Sequence, residues 1–140
     1  MHYTAVEEVP AREVVTASMF LVNKHPAVVL FDSGASHSFM SQAFASRHDQ
    51  EIIEVSKGGY NISSAGGTVT TKKIVKNVLI SIQGREYTTD LIILPGLSIS
   101  VILGMNWMKD HGVLIDTSTR TIMLREPTGG NLRYPNHHTM

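Results

Sequence analysis

The segment Val28-Val29-Leu30-Phe31-Asp32-Ser33-Gly34-Ala35-Ser36 runs four apolar residues straight into a carboxylate and then turns through small side chains. A short apolar run with β-branched residues predicts a strand buried on both faces. A carboxylate at its end is costly to bury unless a partner or a reaction uses it. Ser33 adds a hydroxyl, Gly34 removes a side chain so that another backbone can come close, and Ala35 and Ser36 keep the turn thin. Two roles fit Asp32 at this point: capping a helix that follows, or carrying chemistry.

Outward from this turn the apolar pattern is mostly period two, punctuated by turn residues. Val14 to Val22 reads as a strand turning at Asn23-Lys24, and Ala27 to Phe31 is its return. Ile52 to Val55 is a short strand. Tyr60 to Ser63 and Thr68 to Thr71 are extended arms meeting at Ser64-Ala65-Gly66-Gly67. Ile74 to Gln83 and Glu86 to Leu94 pair across Gly84-Arg85, and Val113 to Ile115 pairs with Thr121 to Leu124. Two segments read as helical. Ser38 is placed to cap a helix reaching His48, with Phe39, Met40, Ala43 and Phe44 on one face. Gly104 to Asp110 makes a shorter one, with Trp107 and Met108 inward. Ser100-Val101-Ile102-Leu103-Gly104 also echoes the first segment as a buried strand, a glycine and a helix.

The chain has 140 residues, enough for one domain that buries roughly 70% of its unfolded surface. Lys and Arg number 12, as do Asp and Glu, so the formal charge is zero and a phosphate-tracking surface is not expected. Cysteine is absent, which excludes disulfides, thiol catalysis and thiolate metal sites. The seven histidines, His2, His25, His37, His48, His111, His137 and His138, show no helical i, i+4 pair, so no metal site is expected. Gly58-Gly59 and Gly66-Gly67 lack the Lys-Ser/Thr of a phosphate loop. Lys72, Lys73 and Lys76 read as a solvated face. The first residues have neither the basic region nor the apolar core of a signal peptide, and no stretch matches a membrane span. The expectation is a soluble cytoplasmic protein. Residues 1–12 and 127–140 lack periodicity and read as tails or linkers around a domain at 13–126.

Leu30-Phe31-Asp32-Ser33-Gly34-Ala35-Ser36-His37-Ser38-Phe39 resembles the active-site turn of retropepsin-like aspartic proteases, specifically those of plant gypsy-class LTR retrotransposons. Val101-Ile102-Leu103-Gly104-Met105-Asn106-Trp107-Met108 resembles the family's second apolar-apolar-Gly motif and its short helix. The resemblance spans roughly Glu13 to Glu126. Asn106 stands where many relatives carry Asp, a position read here as structural. The implied fold is mainly β, a closed barrel or sandwich with a flap hairpin and one or two short helices.

The resemblance implies a catalytic Asp32, with Ser33 and Gly34 shaping the turn and Ser33 bonding across a dyad. Aspartic proteolysis needs two carboxylates sharing a proton, and the other aspartates lack a matching setting, so the second must be Asp32 of another copy. The implied partner is therefore a second copy of the chain, in a homodimer of the retroelement particle. Ser64, Ala65, Gly66 and Gly67 align with the flap, although a plain surface hairpin fits the same residues. Under it a polypeptide substrate would bind extended, with Ala35, Ile62 and Ile99 as apolar pocket candidates. Water is the nucleophile, so no cofactor is expected, and this domain is expected to contact neither nucleic acid nor membrane. The rival expectation is a dimerisation or peptide-binding module that keeps the fold without cleavage.

Overall fold

Strands β1 (Val15–Val22) and β2 (His25–Asp32) form a hairpin in register from Val15↔Asp32 to Val22↔His25. Its two turn residues, Asn23 and Lys24, both take positive φ (47° and 70°), as a tight hairpin with right-twisted strands requires. The computed structural model describes residues 15–64, 67–116, 121–125, 131–135 and 138–139. The next elements are β3 (Phe39–Ser41), α1 (Gln42–Arg47) and β4 (Ile53–Glu54). A separate hairpin, β5 (Tyr60–Ser64) with β6 (Gly67–Thr71), follows. The long hairpin β7 (Lys73–Ile82) and β8 (Arg85–Leu94) turns on Gln83 and Gly84 at positive φ, one residue before the expected Gly84-Arg85.

The echo between the two apolar-Gly motifs becomes a physical adjacency. β9 (Val101–Leu103) lies parallel to β2, with Val29↔Val101, Leu30↔Ile102 and Phe31↔Leu103 in register. β3 fills the gap between β9 and β8, antiparallel to the first and parallel to the second. Because β1 also pairs with β7, the six strands β1, β2, β9, β3, β8 and β7 close on themselves as a barrel. The chain is thus mainly β, as expected, with two short helices among the described residues.

The helix expected from Ser38 to His48 is shorter, and the difference has a cause. Phe39 and Met40 are wholly buried as strand residues, paired with Ile92 and Ile93 of β8. Completing the barrel outweighs their helical spacing. The cap is Ser41, whose Oγ accepts from the Phe44 N–H at 3.0 Å, and Ala45 rather than Ala43 faces inward. α2 (Met105–Asp110) matches its expectation, with Trp107 and Met108 buried. After it, β10 (Leu114–Asp116), β11 (Thr121–Arg125) and β12 (Asn131–Pro135) form a small antiparallel sheet, and β13 (His138–Thr139) pairs with β1. Residues 127–140, read from the sequence as a tail, therefore carry two strands. Their pairing uses backbone groups, which leave no apolar period to read. Residues 1–12 lie outside the described residues.

Two apolar clusters divide along the strand alternation. Val29, Phe31, Met40, Ile93, Val101 and Leu103 fill the barrel interior with Phe44 and Trp107. Their neighbours Leu30, Phe39, Ile92, Leu94 and Ile102 pack on the other face, with Ile62 of the β5–β6 hairpin. These strands read as unbroken apolar runs because the sheet is covered on both sides.

Candidate active site

Asp32 ends β2 and is 0% exposed. The turn that follows holds it. The Gly34 N–H donates to Asp32 Oδ1 at 2.8 Å, and the Ala35 N–H donates to the Asp32 carbonyl at 3.1 Å. A carboxylate oxygen fixed by a backbone donor keeps one orientation. Asp32 caps no helix: the chain passes through β3 before α1 begins. Ser33 is half-buried beside it, and Gly34 and Ala35 are buried.

Asp90 and Asp110 sit in different settings. Asp90 accepts from the Asn77 N–H at 2.9 Å, at a bulge in β7 where Asn77 takes φ 55°. Asp110 is exposed at the end of α2. Among the described residues no three His, Cys, Asp or Glu side chains gather as a metal site would require.

The expected pocket residues converge. Ala35, Ile62 and Ile99 come from three separate parts of the chain and meet in the cluster on the outer face of the sheet. Ile62 is 1% exposed, so the β5–β6 hairpin lies against this floor. The hairpin is tied at its base, where the buried Thr71 Oγ1 donates to the Ile93 carbonyl at 3.0 Å. At the tip, Ser64 pairs with Gly67, whose φ is 122°; Ala65 and Gly66 lie outside the described residues. His37 bridges the turn and the hairpin. Its ring sits 5.8 Å from that of Tyr60, edge to face, and its Nδ1 lies 3.0 Å from Ser36 Oγ. Burial holds this imidazole below its ordinary value.

Sequence reasoning missed the residues that brace the turn from below. A Cβ on Gly104 would lie 2.2 Å from the His37 carbonyl oxygen and 2.6 Å from that of Ala35. The close approach expected of the first motif's glycine is thus documented at the second motif's glycine. The Met105 N–H donates to the Ala35 carbonyl at 2.7 Å. Ser38, expected as a helix cap, instead donates its hydroxyl to Asn106 Oδ1 at 2.8 Å and accepts from the Gly104 N–H at 3.0 Å. The pairing of the two motifs in the sequence was the available signal.

A closed β-barrel with one buried Asp-Ser-Gly turn facing a β-hairpin defines the retropepsin class of aspartic protease domain. The chain belongs to the retroviral aspartyl protease family, whose model matches residues 1–129. It is 27% identical to mouse Protein DDI1 homolog 1 over 124 residues, 86% of this chain and 30% of that protein. It is 28% identical to zebrafish Protein DDI1 homolog 2 over an alignment of 142, covering 93% of this chain and 32% of that one. The chain therefore spans about a third of the length of these curated relatives. The retroviral protease-like domain of Ddi1 from Leishmania major superposes with a TM-score of 0.65 at 16% identity, covering 94% of each chain. The EIAV protease, solved with the inhibitor HBY-793, superposes at 0.52 with 25% identity, covering 75% of this chain and 89% of that one.

Proposed function

We propose that the chain is one half of a homodimeric aspartic endopeptidase. The observation that carries this is Asp32 itself, a wholly buried carboxylate oriented by the Gly34 amide. Two copies of the turn meeting on a two-fold axis would bring two Asp32 carboxylates together, with Ser33 and Gly34 holding the turns in contact. Like charges that close share one proton. The ionised Asp32 takes a proton from water, whose oxygen attacks the scissile carbonyl. The protonated Asp32 donates to the carbonyl oxygen, and collapse of the tetrahedral adduct passes a proton to the leaving amine. No cofactor enters this scheme.

The reading puts the second copy's docking face beside Ser33. Ser33 lines a mostly apolar pocket of about 400 Å³ with Met105, Met108, Lys109, Gly112, Val113 and Leu114. Leu114 is 66% exposed. Substrate would bind as an extended polypeptide beneath the β5–β6 hairpin, with Ser64, Ala65, Gly66 and Gly67 closing over it. Ala35, Ile62 and Ile99 favour apolar side chains flanking the cut. The Asp32-to-Phe39 and Val101-to-Met108 motifs support a source in a plant gypsy-class retroelement, where the enzyme would process its polyprotein inside the cell. The Ddi1 relatives support a second reading, in which the domain serves a longer Ddi1-type protein.

Cleavage of a mixed peptide library, followed against protein concentration at about pH 5, tests the function. Activity that rises faster than linearly and disappears in Asp32→Asn is the expected outcome. Folded protein that cleaves nothing at any concentration would leave the domain as a non-catalytic binding module.

A further inference from the structure

The strongest unassigned feature of the molecule is a polar clamp beneath the catalytic turn. Ser38 is 1% exposed and lies six residues beyond Asp32. A hydroxyl has one proton to donate and lone pairs to accept with. Ser38 uses both, accepting from the Gly104 N–H at 3.0 Å and donating to Asn106 Oδ1 at 2.8 Å. Its carbonyl accepts from the Ile92 N–H at 3.0 Å. One residue thus joins β8, the β9–α2 corner and α2 itself. Between Ser38 and Asp32 the chain is pressed on the same corner, with the Met105 N–H on the Ala35 carbonyl and no room for a Cβ on Gly104. The turn that orients Asp32 through the Gly34 amide is therefore held at its far end by a hydroxyl and an amide.

We infer that Ser38 and Asn106 are positioning residues for Asp32, locking the 32–38 turn onto the start of α2 so that the carboxylate keeps a fixed direction. The inference rests on the aspartic protease reading for its consequence in activity, and on the hydrogen bonds alone for its consequence in structure. An amide at position 106 adds a further property. It does not titrate, so Oδ1 accepts from Ser38 unchanged through the acid range in which a carboxylate dyad works. A carboxyl in its place would also accept from Ser38, through either oxygen when ionised and through its carbonyl oxygen when protonated.

Four variants test this: Ser38→Ala, Ser38→Thr, Asn106→Ala and Asn106→Asp. In amide hydrogen exchange, Ser38→Ala is expected to speed exchange at Gly34 and Met105, which bond within and beneath the turn, by about tenfold, while Ser38→Thr restores protection. In turnover, Ser38→Ala and Asn106→Ala are expected to lower kcat about tenfold with KM little changed. Asn106→Asp, which keeps an acceptor oxygen for Ser38 in either protonation state, is expected to hold kcat within about threefold of the wild type. Unchanged protection of Gly34 and Met105 in Ser38→Ala overturns the clamp whether or not the protein cleaves peptides. So does a loss of kcat in Asn106→Asp as large as that in Asn106→Ala. The exchange effect in Ser38→Ala beside a wild type that cleaves nothing would instead sink the protease reading and leave the clamp standing.

Discussion

Glycine 104 carries the tightest constraint at the scale of single residues. Its missing side chain is what allows α2 to start against the carbonyls of Ala35 and His37. Both neighbours are backbone, so nothing flexible can yield. Gly104→Ala is expected to cost about 3 kcal/mol through forced separation of the two motifs, read as a lower midpoint in urea unfolding. His37 gives a pH dependence. Its folded value is lowered by burial, so the neutral ring is the one the fold accommodates. The contribution is full above the ordinary imidazole value and is lost as pH falls through the lowered folded value. The melting temperature of His37→Gln should therefore fall less between pH 7 and pH 5 than that of the wild type; equal slopes would contradict this. Asp32 was legible from sequence because a carboxylate ending an apolar strand is costly without a use. Ser38 was misassigned because a serine before an apolar pair looks like a cap until the strand beside it is known.

The boundary between β3 and α1 shows where elements escape local reading. Phe39, Met40 and Phe44 have helical spacing, yet the slot between β8 and β9 takes the first two as strand. The helix then begins at the next side chain able to cap it. Ser41→Ala is expected to destabilise the protein by about 1 kcal/mol, the usual value for a lost serine cap, whereas Ser38→Ala should leave the helical signal of α1 intact. Thermal melts with circular dichroism separate the two. At the other end of α1, His48 stacks on His25 of β2 with ring centroids 4.1 Å apart, so the helix is pinned to the first hairpin by aromatic contact. Hairpins were the easier elements. Asn23-Lys24 and Gln83-Gly84 punctuate long alternating runs, and positive φ at such turns is what those residue types tolerate.

For the whole molecule, the proposed homodimer carries the prediction that a second copy docks on the face holding the exposed Leu114 and the pocket beside Ser33. Leu114→Glu is expected to leave the melting temperature of the monomer nearly unchanged, since the side chain is mostly in solvent. It should weaken self-association about tenfold or more in sedimentation equilibrium, by placing like charges across an isologous contact. Peptide cleavage by the variant should recover as concentration rises. Unaltered association would move the dimer face elsewhere.

The amino-acid sequence by itself determined the β-rich class, the buried strand ending in Asp32, and the hairpins, because apolar period, turn residues and an isolated carboxylate are local signals. It also paired two apolar-Gly motifs without saying why. Only the tertiary structure decided that these strands lie side by side, that Ser38 braces the turn through Gly104 and Asn106, and that six strands close into a barrel. It also drew strands from residues 127–140. Those outcomes depend on contacts between residues distant in the chain, about 66 to 68 positions apart for the Ser38 bonds. Such contacts form because the backbone groups of a buried sheet must all find partners, and which partners are in reach is set by the closed barrel rather than by any neighbouring residue.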